Sequence, residues 1–377
     1  MTEDFCGFVE LVKANAETIS TCILNKLREW GFDLTRLRGQ GYNGCSTMSG
    51  EVSGVKTRII QELPNAKYFV HCRSHCLYLV VVNSCQSVAV VRNFMAIFGK
   101  ITWFISASSK RKNIMKSVMK DEGQVAVKFD LMYDPEEGLF NQEKRLLPTL
   151  AETRWTSRTD TLTWLLKHYD KVLDILDEIQ NQTVGNSDAT SYKLTLLNFE
   201  ILVVAVVTQF LLGYLRPLSI ELQSENCDLV EAHVQARTLA TSFLEIRENA
   251  EEAFDGLFNR ACIIANKNEI TNNKSRTSGR QRRRANAAAE TAEQHFRINI
   301  FIPLVDHIIK HLNDRFPNDI KPILYGFYLL PRYFWNLTDD IVGSIVDEYQ
   351  NDISYPDDLP QEVHRWKTLT SIKEIGS

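Results

Sequence analysis

The sequence predicts a mostly α-helical protein that begins with a small α/β region. Up to about residue 85, short strand candidates alternate with helical patterns, and glycines separate them. From Ser87 onward, apolar residues recur every three or four positions along most of the chain, which is the spacing of amphipathic helices. The length of 377 residues corresponds to about two domains of ordinary size.

The composition is that of a globular protein. Hydrophobic residues make up 44% and charged residues 24%, so the chain can bury a sizeable core. The 43 basic and 47 acidic residues give a net charge of −4, which excludes a uniformly basic nucleic-acid binder but not a local basic patch. The eight cysteines are too sparse for a disulfide scaffold, and the acidic start MTEDFCGFVE is unlike an export signal. These features predict reduced thiols and a location in the nucleus or the cytosol.

The N-terminal region, 1–85, is predicted to start with a helix and a strand. The helix covers 15–31, because Asn15 is a good N-cap residue and Gly31 tolerates the left-handed conformation that often follows a helix. A short strand is predicted within 33–39. Glycines after this strand permit a sharp turn.

A second helix and a second strand complete this region. The helix is predicted over 49–63 and stops before Pro64, since the residue before a proline disfavours the helical conformation. The strand covers 68–71, and the apolar stretch after it can be a strand or a buried helix. The result is a small β–α–β arrangement.

The remaining chain is predicted to form a helical domain, 86–336, and an acidic tail, 337–377. The longest apolar run, 201–215, has fifteen residues, fewer than the roughly 20 that cross a membrane, so it is predicted to be a core helix. The segment 267–290 has almost no apolar surface and is predicted to be a solvated basic loop. The tail has nine acidic and three basic side chains and is expected to be partly ordered.

A cysteine and a histidine at a metal-ligand spacing form the first candidate site. Cys72 and His75 lie three positions apart, but a structural zinc site needs four ligands, and no second pair follows at finger spacing. His71 points to the opposite face from Cys72 if this segment is a strand. A structural role for Cys72 and His75 is therefore favoured, with no metal and no cofactor. No nucleophile elbow and no complete phosphate-binding glycine loop occurs in the sequence.

A basic cluster within 274–284 is the sharper functional signal. Such a cluster neutralises nucleic-acid phosphates without sequence specificity, or it serves as a nuclear import signal. The alternative is a solvated loop without a partner. The cluster places six positive charges on Lys274, Arg276, Arg280, Arg282, Arg283 and Arg284.

An arginine–tryptophan pair, Arg154 and Trp155, is a second nucleic-acid candidate. The two side chains can hold a phosphate and stack on a base. A core tryptophan beside a surface arginine is the alternative interpretation.

Four segments carry a family resemblance. In chain order they read LRGQGYNGCSTMSGEVSGVKTRI, PNAKYFVHCRSHCLYLVV, ETRWTSRTDTL, and RTSGRQRRRAN followed by FRINIFIPLVDHII. With these segments the chain resembles the hAT-superfamily transposase-like proteins, in particular the group that contains zinc finger MYM-type protein 1 and its domesticated relatives. The resemblance extends from about Glu3 to Trp366.

The resemblance implies an RNase H-like domain interrupted by a long helical insertion. In that family three acidic residues bind two divalent metal ions that drive DNA strand transfer. The family's first Asp lies upstream of the region matched here, and its Glu lies after the insertion. Its second Asp stands in a G-Y-D-G-A stretch, where this chain has Asn43. The chain is therefore expected to hold an incomplete RNase H-like remnant and to be catalytically inactive.

Other motif positions carry over by the same resemblance. Cys72 and His75 match the family's (Cys/Asp)-x-x-His motif. Arg154 and Trp155 match its Arg–Trp motif, which lies near the DNA end in the active enzymes.

The function expected from these observations is that of a nuclear nucleic-acid-binding or scaffolding protein derived from a transposase, with the cytoplasm as the alternative location. Two alternatives stay open: a fragment of an active metal-dependent transposase, or a protein-interaction module without nucleic-acid contact. The expected partners are DNA and unidentified proteins, and no membrane is involved.

The N-terminal region is expected to lack strands of a complete RNase H-like sheet. Two helices are then expected to have no packing partner in the chain: the one that ends at Trp30 and the one with Val52, Val55 and Ile59. Apolar faces and a strand edge left exposed in this way favour self-association.

Overall fold

The structure, a computed structural model, describes residues 5–120, 155–182, 187–224, 227–272, 291–317 and 325–375. These residues are mostly helical, with one two-stranded parallel sheet near the N-terminus, which confirms the predicted fold class. The strands are β1 (Gly39–Tyr42) and β2 (Tyr68–His71). The helices are α1 (Ala16–Glu29), α2 (Ser46–Ser49), α3 (Val55–Glu62), α4 (Arg73–Ser87), α5 (Ala89–Ser106), α6 (Ser109–Lys120), α7 (Trp155–Lys167), α8 (Tyr169–Gln182), α9 (Ser187–Leu196), α10 (Phe199–Glu221), α11 (Leu229–Glu248), α12 (Ala250–Lys267), α13 (Ala292–Phe296), α14 (Ile302–Arg315), α15 (Asp339–Tyr349) and α16 (Leu359–Ile375).

The predicted first helix is confirmed at both of its ends. The Oδ1 atom of Asn15 accepts a hydrogen bond from the backbone N–H of Thr18 at 2.8 Å, which satisfies one of the free donors at the start of α1. Gly31 has a φ of +79°, the left-handed conformation that ends the helix.

The first strand lies later in the chain than predicted. The sequence indicated a strand within 33–39, but Asp33 caps a short 3₁₀ turn, Leu34–Arg36, through hydrogen bonds from the backbone N–H and the hydroxyl of Thr35. A side chain that accepts a hydrogen bond from a backbone N–H two residues later favours a turn over an extended conformation. Residues 34–36 therefore form a turn, and the strand begins only at Gly39. The second strand is confirmed residue for residue, and the apolar stretch after it is helical, as α4.

The helix predicted over 49–63 is shorter in the structure: α3 covers only Val55–Glu62, and a tight turn at 50–54 connects it to α2, which ends at Ser49. The backbone of Gly54 lies against that of Gly50, and its N–H donates to the Gly50 carbonyl at 3.1 Å. A Cβ atom at Gly54 would lie 2.5 Å from the Gly50 nitrogen, so the turn requires glycine here.

The expectation that the apolar faces of α1 and α3 lack a partner in the chain is wrong, because the two helices pack against each other. Leu24 of α1 and Val55 and Ile59 of α3 are fully buried in one cluster. Val52 precedes α3 and is 89% exposed, so it takes no part in that face.

The described residues divide into two compact units, and the division differs from the predicted segments 1–85, 86–336 and 337–377. One unit combines the described residues up to Cys76 with 228–230 and those after Phe316. The acidic tail, expected to be partly ordered, forms the helices α15 and α16 within this unit. It is joined to the N-terminal part by ion pairs of Lys67 with Glu348, at 2.6 Å, and of Arg38 with Asp352.

The second unit, 77–227 and 231–316, is helical and is built around α10. The predicted core helix at 201–215 is confirmed, since α10 packs against α5, α7 and α12 and its middle turns are fully buried. Helix α10 is also long and apolar enough to cross a membrane, but 61% of its most apolar window is buried inside the fold.

Candidate functional site

The two parallel strands bring the predicted motif positions together at one edge of the sheet. Tyr42 at the end of β1 pairs with His71 at the end of β2. Asn43 and Cys72 follow directly, and the Cys72 N–H donates to the Tyr42 carbonyl at 2.9 Å. The carboxyl edge of parallel strands is the usual place for a binding or catalytic site in α/β folds. Asn43 therefore stands at the position where a functional side chain is expected.

Asn43 is an exposed amide that stabilises its own turn. Its Oδ1 atom accepts a hydrogen bond from the backbone N–H of Cys45 at 3.4 Å, and α2 begins one residue later. An amide oxygen can ligate a cation, but it supplies no negative charge. The neighbouring phenol of Tyr42 is no acid–base group near neutral pH, because burial raises its pKa to about 12.

The cysteine–histidine motif builds the start of α4. The carbonyl of Cys72 accepts from the N–H of Cys76 at 2.9 Å, which forms the first helical turn, and Cys76 is buried while Cys72 is exposed. His75 lies in this turn. No group of three or more His, Cys, Asp or Glu side chains that could hold a metal ion occurs among the described residues. The structural role of Cys72 and His75 stays a prediction.

The structure also places two histidines and a glycine at this edge in a way that the sequence did not predict. The imidazole rings of His71 and His75 lie 5.5 Å apart between centroids. The His71 ring lies against the backbone of Gly44, where a Cβ atom would come within 2.4 Å of its Cε1 and Nε2 atoms. Gly44 thus makes room for the imidazole. A glycine just after a strand was the only sequence signal of this contact.

The residues predicted to contact nucleic acid have no described side-chain positions. Arg154 lies outside the described residues, as does the whole basic cluster. Trp155 is the first residue of α7, and its side chain is not among those described. The roles assigned to Lys274, Arg276, Arg280, Arg282, Arg283, Arg284, Arg154 and Trp155 remain predictions.

Sequence reasoning missed a second basic region, on α5 and α6. Between Ala89 and Lys120 the chain has seven basic residues and no acidic one, although the whole protein is acidic. The positive charges are spread along two helices, so they do not form a run of adjacent arginines and lysines. A count of charges over a 30-residue window would have found them.

Comparison with known proteins agrees with the sequence resemblance at a coarser level. Residues 1–54, which include β1, Asn43 and α2, match the family model described as "DUF4371: ZMYM1/FAM200, RNase-like domain". The protein named "52 kDa repressor of the inhibitor of the protein kinase" from Mus musculus is 25% identical over 383 residues, which cover 97% of this chain and 47% of the relative. The Homo sapiens protein of that name is 25% identical over 380 residues, with the same coverage.

The chain spans about half the length of the curated relatives it matches. No solved structure matches it. The chain is thus similar to the RNase-like domain of the ZMYM1/FAM200 type in its first 54 residues, and distantly similar along nearly its whole length to the repressors named above.

Proposed function

We propose that this chain is a catalytically inactive protein derived from a transposase of the hAT type, and that it acts in the nucleus as a nucleic-acid-binding or scaffolding protein. The observation that carries this proposal is Asn43. Asn43 stands at the carboxyl edge of the sheet, where the family resemblance places the second of the three acidic residues, the Asp of G-Y-D-G-A. The oxygen of its uncharged amide accepts a hydrogen bond in the turn before α2. The match to an RNase-like domain covers this position.

The chemistry of strand transfer explains why this change matters. Two divalent ions stabilise the attacking and the leaving oxygen, and hard cations of this kind are held by anionic carboxylates. An amide in place of one carboxylate lowers the negative charge of the site by one unit. Among the described residues, the Asn43 amide oxygen accepts one hydrogen bond, from the Cys45 N–H in this exposed turn.

We expect no magnesium- or manganese-dependent nicking of supercoiled plasmid DNA by the purified chain. Asn43→Asp should not produce nicking, because one restored carboxylate does not complete a two-metal site. The matched control is Asn25→Asp, which adds the same charge at an exposed position of α1. Nicking by the wild-type chain that disappears in Asn43→Ala would contradict the proposal.

Nucleic-acid binding by the basic cluster is the second part of the proposal. We expect that changing Arg280, Arg282, Arg283 and Arg284 to glutamine weakens binding to DNA duplexes of unrelated sequence equally. The slope of log affinity against log salt should fall by about 0.9 for each phosphate that the variant no longer neutralises. Fluorescence anisotropy over a salt series measures both quantities, and microscopy of a fluorescent fusion measures nuclear accumulation.

The control for this variant changes four arginines that form ion pairs elsewhere in the chain. Equal losses in both variants would argue against a specific role of the cluster, and unchanged nuclear accumulation would remove the case for an import signal. The control arginines are Arg28, Arg36, Arg247 and Arg297.

Scaffolding by self-association is supported by exposed apolar side chains in the unit that contains the sheet. Phe5, Phe8, Val12 and Val52 are each at least three-quarters exposed. Monomeric soluble proteins rarely leave several large apolar side chains of one segment in water. The first three belong to one extended N-terminal segment, which is the part of the chain we propose for contact with a second copy.

A further inference from the structure

The charged side chains on the outward sides of α5 and α6 are all basic. We call this surface the cationic face and define it by four exposed side chains. Helix α5 supplies Arg92 and Lys100, and α6 supplies Lys112 and Lys116. No acidic residue lies between Ala89 and Lys120, so the two helices contribute no charge of opposite sign.

The packing of α6 holds Lys112 and Lys116 toward solvent. Ile114 and Met115 are buried on the inner side of the helix. The Arg111 guanidinium lies over the Phe104 ring of α5, 4.1 Å from its centroid. Lys112 and Lys116, four positions apart, therefore project from the same outer side of α6, with about 5–6 Å between their Cβ atoms.

The lysines of the cationic face are not neutralised by acids in the described part of the chain. Among the described residues, Arg92, Lys100, Lys112 and Lys116 form no ion pair. Like charges on neighbouring turns of a helix destabilise it. A surface of this kind is stabilised when an anionic ligand binds to it.

The acidic helix that packs against α6 does not supply this anion, because its aspartates have other partners. Helix α8 contacts α6. Its Asp170 pairs with Lys267 at 2.8 Å, its Asp174 with Lys171 at 3.9 Å, and its Asp177 with Lys193 at 2.5 Å. Its Glu178 accepts a hydrogen bond from the side chain of Gln182.

An aromatic side chain lies on the outer stripe of α5. Trp103 is 67% exposed and follows Lys100 by three positions, so the two side chains share one side of the helix. A solvent-exposed tryptophan beside a lysine is the combination that binds single-stranded nucleic acid, because the base stacks on the indole and the phosphate pairs with the ammonium group. Bases in a duplex have no open face for such a contact.

We propose that the cationic face binds a single-stranded nucleic-acid segment, with the lysines on its phosphates and Trp103 stacked on an unpaired base. This inference rests on the proposed nucleic-acid-binding function and assigns it to a second surface, in addition to the basic cluster within 274–284. A membrane surface fits less well, since the apolar side chains Ile114 and Met115 of α6 are buried and cannot insert into lipid.

The test compares two triple variants of the full chain. The first changes Lys100, Lys112 and Lys116 to glutamine. The second is a control with the same reduction of charge, made at lysines that form ion pairs elsewhere: Lys26, Lys67 and Lys171. The probe is a fluorescein-labelled DNA strand of mixed sequence, about 20 nucleotides long, a length that exceeds the usual site size of single-strand binders.

We expect the first variant to bind the strand about 100-fold more weakly at about 0.1 M salt and to show a salt slope smaller by about 2 units, since each phosphate contact on a single strand contributes about 0.7. The control should stay close to wild type. Trp103→Leu should weaken binding of the single strand about tenfold and leave duplex binding unchanged. All these positions are exposed or partly exposed, so circular dichroism and the melting temperature should confirm intact folds.

The outcomes separate this inference from the proposed function. If wild type binds the strand and the first variant binds it with the control's affinity and slope, the inference is overturned while nucleic-acid binding stands. Equal effects of Trp103→Leu on single strand and duplex overturn the stacking contact. Binding of wild type to anionic phosphatidylserine vesicles but to no nucleic acid overturns both the inference and the nucleic-acid part of the proposed function.

Discussion

Gly54→Val should lower the free energy of unfolding of the unit that contains the sheet by about 3 kcal/mol. A Cβ atom at this position would lie 2.5 Å from the backbone nitrogen of Gly50 and 2.6 Å from its carbonyl oxygen. Backbone atoms cannot move aside as a flexible side chain can, so the turn between α2 and α3 must open. Opening it displaces Val55, the first residue of α3 and a fully buried member of the cluster with α1.

Hydrogen exchange of the α3 amides measures this destabilisation, because these amides report the opening of that unit rather than of the whole chain. The control is Gly343→Ala in α15, where a Cβ atom meets no other atom within 4 Å. That substitution should stabilise the helix by about 0.5–1 kcal/mol. An α3 exchange rate that Gly54→Val leaves unchanged would contradict the close approach of the two glycines.

Arg216→Met should destabilise the helical unit by about 2–3 kcal/mol at neutral pH. The Arg216 Nε atom donates to the Asp160 carboxylate at 3.0 Å, and the Asp160 side chain is only 14% exposed. Burial raises the pKa of Asp160 from its ordinary value, and the hydrogen bond and charge of Arg216 oppose this rise. Without Arg216, the Asp160 carboxylate is still buried, but it no longer has the hydrogen bond and the opposite charge that offset the free-energy cost of its burial.

The sign of the pH dependence follows from the raised pKa of Asp160. A carboxyl group with a higher pKa in the folded state binds more protons there than in the unfolded chain, so its contribution to stability falls as pH rises above its ordinary value near 4. Arg216→Met raises this pKa further. Its destabilisation should therefore be largest at neutral pH and should shrink toward about pH 4.

Urea denaturation followed by circular dichroism at neutral pH and near pH 4 measures this effect. Lys171→Met is the control, because its partner Asp174 is 59% exposed and an exposed pair contributes little. The same decrease in stability at both pH values would show that packing of the Arg216 side chain, and not the charge of Asp160, is responsible.

Features with a local cause could be predicted from the sequence. Helix α1 has both of its end signals in adjacent residues, Asn15 and Gly31, and both work as expected. Helix α10 was predicted as a core helix because its apolar run, 201–215, is shorter than the roughly 20 residues that cross a membrane. The break at Gly50 and Gly54 was missed although glycine is a weak helix former, because the close approach of the two backbones depends on the fold and not on the local sequence alone.

The candidate site was predicted in part. Asn43 was predicted from the family resemblance and Cys72 from its spacing to His75, and the parallel pairing of β1 and β2 places both at one edge of the sheet. The contact between His71 and His75 was missed, because the alternation of side chains between the two faces of a strand applies only up to His71, the last residue of β2. The chain then enters α4, which returns His75 to the side of His71. The cationic face was missed because its charges are dispersed along α5 and α6.

The unit that contains the sheet is assembled from the two ends of the described chain, and this has a consequence for synthesis on the ribosome. Its residues up to Cys76 emerge before the helical unit, but Glu348 and Asp352, which pair with Lys67 and Arg38, emerge after it. Domains generally fold as units in the order in which they emerge. The helical unit, whose residues lie between these two parts, is therefore complete earlier, and the residues up to Cys76 stay without their partners in 339–375 until that segment has been made. During that interval their apolar side chains are exposed to chaperones and to other nascent chains.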